Sequence, residues 1–202
     1  MKSLKTYGLG ILIFTFALSI QYIYAQKTSL ANQDWPIKIT LLDESITYPT
    51  LNLFQWSYNP AVTIGTEYLL KEKKKSSWYL RSELGSYHHE DWKSAVFLLE
   101  GIGYRHHFGR LNLALNLGTG YAHTFATKPV YRNEGGVWER VSERGNPTVM
   151  IKLGMELGYR LKQSPLSPEL FLSFSSAGDI PFSIFSGLHQ LAGMGIKFYP
   201  NF

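Results

Sequence analysis

The chain has 202 residues and no cysteine. A disulfide framework, a cysteine nucleophile and a thiolate metal site are therefore excluded, as is a lipid anchor attached to an N-terminal cysteine. Charged residues are also scarce, at 17% of the chain, which is below the roughly 25% of an average globular protein. Aromatic residues reach 15%. This balance argues against a disordered tail, a coiled coil or a basic domain that binds nucleic acid.

No apolar run after residue 25 is long enough for a transmembrane helix, which needs about 20 residues. A shorter run, Leu9–Ile20, follows two lysines and precedes Ala25. A basic start, a short apolar core and a small residue before the cut are typical of a secretory signal peptide. We expect residues 1–25 to be this signal peptide and residues 26–202 to form the exported domain.

The exported domain alternates between apolar and polar residues with a period of two. In Leu111–Tyr121 the odd positions hold leucine, threonine or tyrosine, whereas the even positions hold asparagine, alanine or glycine, and 149–161 repeats the pattern. Strict alternation predicts a strand with two different faces, because successive side chains of a strand point to opposite sides. Further stretches, some of them weaker, complete a set of eight predicted strands: 36–42, 62–70, 78–85, 94–107, 168–175 and 194–202.

The links between these strands alternate in length, with 89–93 as the exception. The short links are 71–77, 109–110 and 163–167, and the long links are 43–59, 125–147 and 176–186. Short turns on one rim and long loops on the other are typical of barrels in the outer membrane, whose strands cross it with roughly ten residues each. The sequence therefore predicts an all-β fold, an eight-stranded antiparallel up-and-down transmembrane β-barrel.

The polar face of the predicted strands carries glycines together with charged residues. Glycines suit the cramped interior of an eight-stranded barrel, and charges can pair there, whereas a base facing hydrocarbon costs about 2–4 kcal/mol. The apolar face therefore meets lipid; a soluble exported barrel that binds a small ligand is the alternative. We expect interior ion pairs among Glu67, Arg81, Glu83, Glu100, Arg105, Lys152, Glu156, Arg160 and Lys197.

The fourth predicted strand does not keep one parity. Phe97 and Ile102 both suit the apolar face although one position is odd and the other even. One inserted residue would reconcile them, so we predict a β-bulge near Gly101 that turns Glu100 to the polar face. Aromatic residues lie on the apolar face close to the short links and predict a girdle at one membrane interface: Tyr68, Trp78, Tyr104, Tyr159 and Phe198.

The signal peptide, the eight amphipathic strands and a last strand that ends at Phe202 together resemble the small outer-membrane β-barrel proteins, the class of OmpX and of the barrel of outer membrane protein A. The resemblance covers the whole exported domain. It implies the outer membrane of a Gram-negative cell envelope as location, outer-membrane lipid and lipopolysaccharide as partners, and Phe202 as the signal that the barrel-assembly machinery recognises. Pro200 departs from the usual pattern, because it removes a backbone donor.

We expect a structural or surface-binding role, in a monomer that uses no cofactor. An eight-stranded interior leaves room for side chains and little else, so we expect it to be closed; a narrow pore lined by rearranging ion pairs is the alternative. The loop after the fifth strand mixes charged and aromatic residues around Gly135 and Gly136, which suits a binding surface or contact with lipopolysaccharide phosphates. A merely solvated hairpin extension is the alternative. The candidates for surface binding are Trp92, Arg132, Trp138 and Arg140.

A catalytic interpretation remains open. The class that the chain resembles includes lipid A deacylases and acyltransferases that use serine, histidine and an acidic residue near the rim, so a lipid-A-directed acyl hydrolase is the alternative function. Its weak candidates are Ser86, His88, Glu90 and His123. These residue types are also ordinary for a solvated rim. Adjacent His88 and His89 point to opposite faces of a strand, so we expect no metal site there.

Overall fold

The computed structural model of the chain describes residues 35–47, 58–90, 93–141, 145–162, 167–180 and 188–199. None of these residues belongs to a helix of the length and hydropathy needed to cross a bilayer. They form ten β-strands: β1 (Ile37–Thr47), β2 (Pro60–Lys73), β3 (Ser76–His88), β4 (Lys93–Phe108), β5 (Leu111–Ala126), β6 (Val130–Glu134), β7 (Val137–Val141), β8 (Asn146–Arg160), β9 (Glu169–Ile180) and β10 (Leu188–Phe198).

Eight of the strands close into one antiparallel barrel. The order around the barrel is β1-β10-β9-β8-β5-β4-β3-β2, and β1 pairs with both β2 and β10, which completes the ring. The predicted fold class is therefore confirmed. β6 and β7 form a separate two-stranded sheet, the hairpin, between β5 and β8. The sequence allowed a hairpin extension only as an alternative for this loop and did not predict its two strands.

The links separate the two ends of the barrel as expected. At one end, Lys74-Lys75 joins β2 to β3, and Gly109-Arg110 joins β4 to β5. Gly109 has a φ of 69°, which favours glycine. At the other end, the hairpin and the longer links follow β1, β5 and β9. We call these the short-link end and the long-link end.

The apolar face of the strands points away from the barrel axis, as predicted. Leu115 is 53% exposed and Leu153 is 60% exposed, whereas Glu156 is 4% exposed. The glycines of the polar face point inward. Gly85 and Gly103 give the space that large interior side chains occupy, because a Cβ at these positions would collide with the rings of Phe97 and Tyr79.

The predicted β-bulge near Gly101 is wrong. β4 pairs with β3 and with β5 without any register shift. The shift lies in β2 instead, between Leu69 and Lys71. Because β4 keeps one parity throughout, Phe97 points into the barrel and is 1% exposed, whereas Glu100 points outward and is exposed.

Aromatic side chains gather on the outer surface at the short-link end. The rings of Trp78 and Tyr104 lie 5.1 Å apart, on paired positions of β3 and β4. Tyr68 packs on Trp35, which precedes β1, at 5.5 Å. Large amphipathic rings at this level suit the boundary between hydrocarbon and water.

Candidate functional site

The interior of the short-link half is filled by an ion network. Glu67 of β2 lies 2.8 Å from the guanidinium of Arg105 and 3.1 Å from Nζ of Lys38. Lys38 also contacts Glu156 at 2.6 Å, and Glu156 in turn contacts Arg81 at 2.5 Å. One lysine therefore joins two carboxylates, and five strands meet through these contacts.

Further ion pairs extend the network on both sides. Glu83 pairs with Arg81 and with Lys152. Lys197 lies 3.2 Å from Glu169 and 3.5 Å from Glu67. The complete ion network consists of Lys38, Glu67, Arg81, Glu83, Arg105, Lys152, Glu156, Glu169 and Lys197.

Aromatic rings and an amide hold the cations in place. The guanidinium of Arg105 lies over the Tyr79 ring at 4.4 Å, and Nζ of Lys38 lies over the Phe171 ring at 4.6 Å. The Tyr79 hydroxyl donates to Oδ1 of Asn116 at 2.5 Å. Tyr199 directly follows β10 at the short-link end. Burial raises the pKa of its phenol to about 12, so the phenol stays neutral.

Seven of the nine charged residues expected inside are members of the ion network. The expectation for Glu100 is corrected: without the bulge its side chain lies on the outer surface, where it accepts a hydrogen bond from Ser82 at 2.7 Å. Arg160 lies half-buried opposite Glu169 in the pairing of β8 and β9. Sequence reasoning missed Lys38 and Glu169, although the alternation Ile-Lys-Ile at 37–39 signals the first.

An apolar layer covers the ion network on its long-link side. Phe97 and Leu99 belong to it, so both are interior residues and neither faces lipid. Every side chain of the layer is at least nine-tenths buried, and together they come from all eight strands of the barrel. The layer consists of Leu42, Ala61, Tyr87, Ala95, Phe97, Leu99, Ala122, Met150, Ala177 and Leu191.

A second polar group, the histidine cluster, lies inside the barrel at the long-link end. Nδ1 of His189 lies 2.6 Å from Glu44, and its Nε2 lies 3.6 Å from Asp179. Lys93 pairs with Asp179, and the Tyr87 ring packs on the imidazole at 5.0 Å. With His189 protonated, two positive charges balance the two carboxylates, and β1, β4, β9 and β10 are tied together.

The four weak catalytic candidates do not come together. His88 shares a hydrogen bond of 2.7 Å with Ser94, and His123 shares one of 2.7 Å with Tyr121. In the strand pairing, Val96 lies between Ser86 and His123. Among the described residues, Ser86 makes no hydrogen bond to His88 or His123, so the candidate nucleophile lacks the histidine contact that would activate it.

Three of the four surface-binding candidates, Arg132, Trp138 and Arg140, belong to the hairpin strands. Trp138, which is 67% exposed, is paired with Asn133, and the exposed Arg140 is paired with Tyr131. These four side chains share one face of the hairpin. The side chain of Arg132 and the whole of Trp92 lie outside the described residues, as does Phe202. In the part of the chain that the structure describes, no group of three or more metal-ligating side chains is placed to hold an ion.

No family model matches this chain, and no curated protein sequence does. Solved structures do match. The outer membrane enzyme PagL aligns with 82% of this chain and 99% of its own, with a TM-score of 0.50 and 8% identity. Neisserial surface protein A aligns with 82% of this chain and 96% of its own, with a TM-score of 0.47 and 8% identity. The attachment invasion locus protein Ail of Yersinia pestis aligns with 82% of this chain and 95% of its own, with a TM-score of 0.44 and 9% identity.

The fold is thus that of the small eight-stranded outer-membrane β-barrel proteins. At 8% identity the likeness to PagL concerns the fold alone. The roles of individual residues must therefore be argued from this chain.

Proposed function

We propose that this chain is an integral outer-membrane protein with a closed barrel, which serves a structural role and binds partners at the cell surface. The observation that carries the proposal is which side chains face outward from the barrel and which face its interior. Leucine, isoleucine, valine and aromatic residues face outward along the strands, and paired ions fill the interior. A soluble barrel would need the opposite order, because its exterior must be solvated.

The filling of the interior supports a closed barrel. Ions would have to pass first the histidine cluster, then the apolar layer, and then the ion network. In the layer they would meet Phe97, Met150 and Leu191, large apolar side chains that are under 2% exposed. The interior of an eight-stranded barrel is only just wide enough for such side chains to fill it.

The hairpin supports binding at the surface. Its exposed face combines two aromatic rings, Tyr131 and Trp138, with the cation Arg140 and the amide Asn133. Rings stack on sugars, and a guanidinium pairs with phosphate oxygens in two hydrogen bonds. The phosphorylated sugars of lipopolysaccharide, the lipid of the outer leaflet, have both features.

Export and assembly complete the proposal. Residues 1–25 serve as the signal peptide, and Phe202 serves as the residue that the barrel-assembly machinery recognises. Mass spectrometry of the protein from the envelope should find Gln26 as the first residue. A chain that keeps residues 1–25 would contradict the assignment.

Two measurements on one preparation test the proposal. The protein should fractionate with outer membranes and migrate faster on gels before boiling than after, as closed barrels do. Purified protein in planar lipid bilayers should show no stable channel steps. A protein found in the soluble fraction would overturn the membrane assignment, and a stable large conductance would overturn the closed interior.

The acyl-hydrolase alternative has its own test. Overexpression should leave the mass of lipid A unchanged, because His88 and His123 bond to Ser94 and Tyr121 and neither contacts Ser86 in the described structure. A mass loss that Ser86→Ala or His88→Ala abolishes would favour the hydrolase instead.

A further inference from the structure

Glu100 is a carboxyl group on the lipid-facing surface of the barrel. It lies halfway along β4, between Leu98 and Ile102, which both face outward. Its only intramolecular hydrogen bond among the described residues comes from Ser82 at 2.7 Å. Acyl chains cannot donate a hydrogen bond, so this position is costly in a membrane unless a partner satisfies the carboxyl group.

Glu100 belongs to a polar row that crosses four strands. In the strand pairing Thr66 lies opposite Ser82, Ser82 lies opposite Glu100, and Glu100 lies opposite Thr119. The Thr66 hydroxyl already donates to the carbonyl of Pro36 at 2.8 Å. Thr119 is exposed, so the row presents a hydroxyl donor directly beside a carboxyl acceptor.

The shape of the surface allows close approach at the same place. The short side chains of the row lie between outward-facing leucines such as Leu84 and Leu117. In membranes, contacts between proteins favour small residues that let backbones approach and polar groups that bond across the contact.

We infer that the polar row is a contact surface between two copies of this chain in the membrane. A two-fold contact must be self-complementary, so that residue i meets j and j meets i. The row meets this condition, because Thr119 of each copy can donate to Glu100 of the other. A partner that offered only a cation would leave the Thr119 hydroxyl against hydrocarbon. The inference rests on the proposed membrane location and replaces the monomer expected from the sequence.

The absence of cysteine in the chain makes a clean cross-linking test possible. Leu117→Cys places a cysteine on the outward face beside the row and leaves Thr119 and Glu100 in place. This variant and, as control, Met194→Cys are each expressed in outer membranes and oxidised with copper phenanthroline, which joins two neighbouring cysteines in a disulfide. Met194 faces outward on β10, away from the row around the barrel. We expect a product of twice the chain mass with Leu117→Cys and not with Met194→Cys. Adding Glu100→Leu to Leu117→Cys should lower the yield about fivefold or more.

Each other outcome overturns the inference. These are equal yields at the two positions, no dimer from Leu117→Cys, a yield that Glu100→Leu leaves unchanged, and a product with a protein of different mass. The heat-shift assay on the same samples separates the two proposals. Folded barrels in the membrane without a cross-link contradict only the dimer, whereas absence of folded barrels from the membrane contradicts the proposed function as well.

Discussion

Among the described residues, Glu67 is the carboxylate that contacts the most interior cations. Arg105 at 2.8 Å, Lys38 at 3.1 Å and Lys197 at 3.5 Å all contact it, and all four side chains are buried. Removing one partner of a buried ion pair is costly, because the other charge stays desolvated without compensation. At Glu67 three positive charges would remain.

We predict that Glu67→Gln lowers the free energy of unfolding by about 3–5 kcal/mol, the usual cost of breaking a buried pair. Urea unfolding in detergent micelles, followed by the loss of the heat-shifted gel band, measures the change. Glu72→Gln is the matched control, since Glu72 is exposed near the end of the same strand, and it should change stability by less than about 0.5 kcal/mol. Equal effects would contradict the role of Glu67.

Phe97 tests the apolar layer at the same scale. It is buried within the barrel, whereas its neighbour Leu98 faces outward. We predict that Phe97→Ala costs about 3–5 kcal/mol, because the layer cannot collapse fully around the lost ring. Leu98→Ala should cost clearly less, since lipid fills the space. The same urea titration measures both, and a larger effect at Leu98 would reverse the assignment of the two faces.

At the scale of elements, the hairpin stands apart from the barrel. Gly135 and Gly136 form its turn with φ values of 66° and 90°, and the amide of Gly136 donates to the Asn133 side chain at 2.9 Å. Two residues with positive φ make the hairpin turn that matches the twist of the strands. Because the hairpin shares no ladder with the barrel, changes on its exposed face should affect binding and leave the barrel intact.

We predict that the pair Trp138→Ala and Arg140→Ala weakens binding of purified lipopolysaccharide about tenfold or more, as the loss of an aromatic and arginine anchor commonly does. Surface plasmon resonance with the protein in nanodiscs measures the affinity. The control removes two exposed charges at the opposite end, Lys74→Ala and Lys75→Ala, and should leave binding unchanged. If both pairs of substitutions act alike, binding is not a property of the hairpin.

The elements also show what alternation can predict. Leu111–Ala126 was predicted almost to its ends, because one face is apolar along most of its length. β4 was misread, since Phe97 and Leu99 inside are as apolar as Val96 and Leu98 outside, and a strand that is apolar on both faces loses its period. The hairpin strands have five residues each, too few for a periodic signal.

At the scale of the whole molecule, the sequence predicted the orientation of the faces but not the order of layers inside. The orientation of the two faces could be predicted because the glycines and the charged residues lie on the same face of the strands. The layers depend on contacts between residues that are far apart in the sequence. Lys38 and Glu156 are separated by 118 positions, and Glu44 and His189 by 145. No spacing rule connects such residues. The interior position predicted for Glu100 depended on a β-bulge in β4, and the pairing of β4 with its two neighbours contains no such bulge.

Some leucines face outward and others face the barrel interior, so they allow a direct test of which face of the strands meets lipid, without any substitution. In nanodiscs with methyl-labelled leucine, nuclear Overhauser effects from lipid acyl chains should reach Leu113, Leu115 and Leu153. They should be absent at Leu42, Leu99 and Leu191, which are buried. Lipid contacts at this second group, with none at the first, would contradict the account.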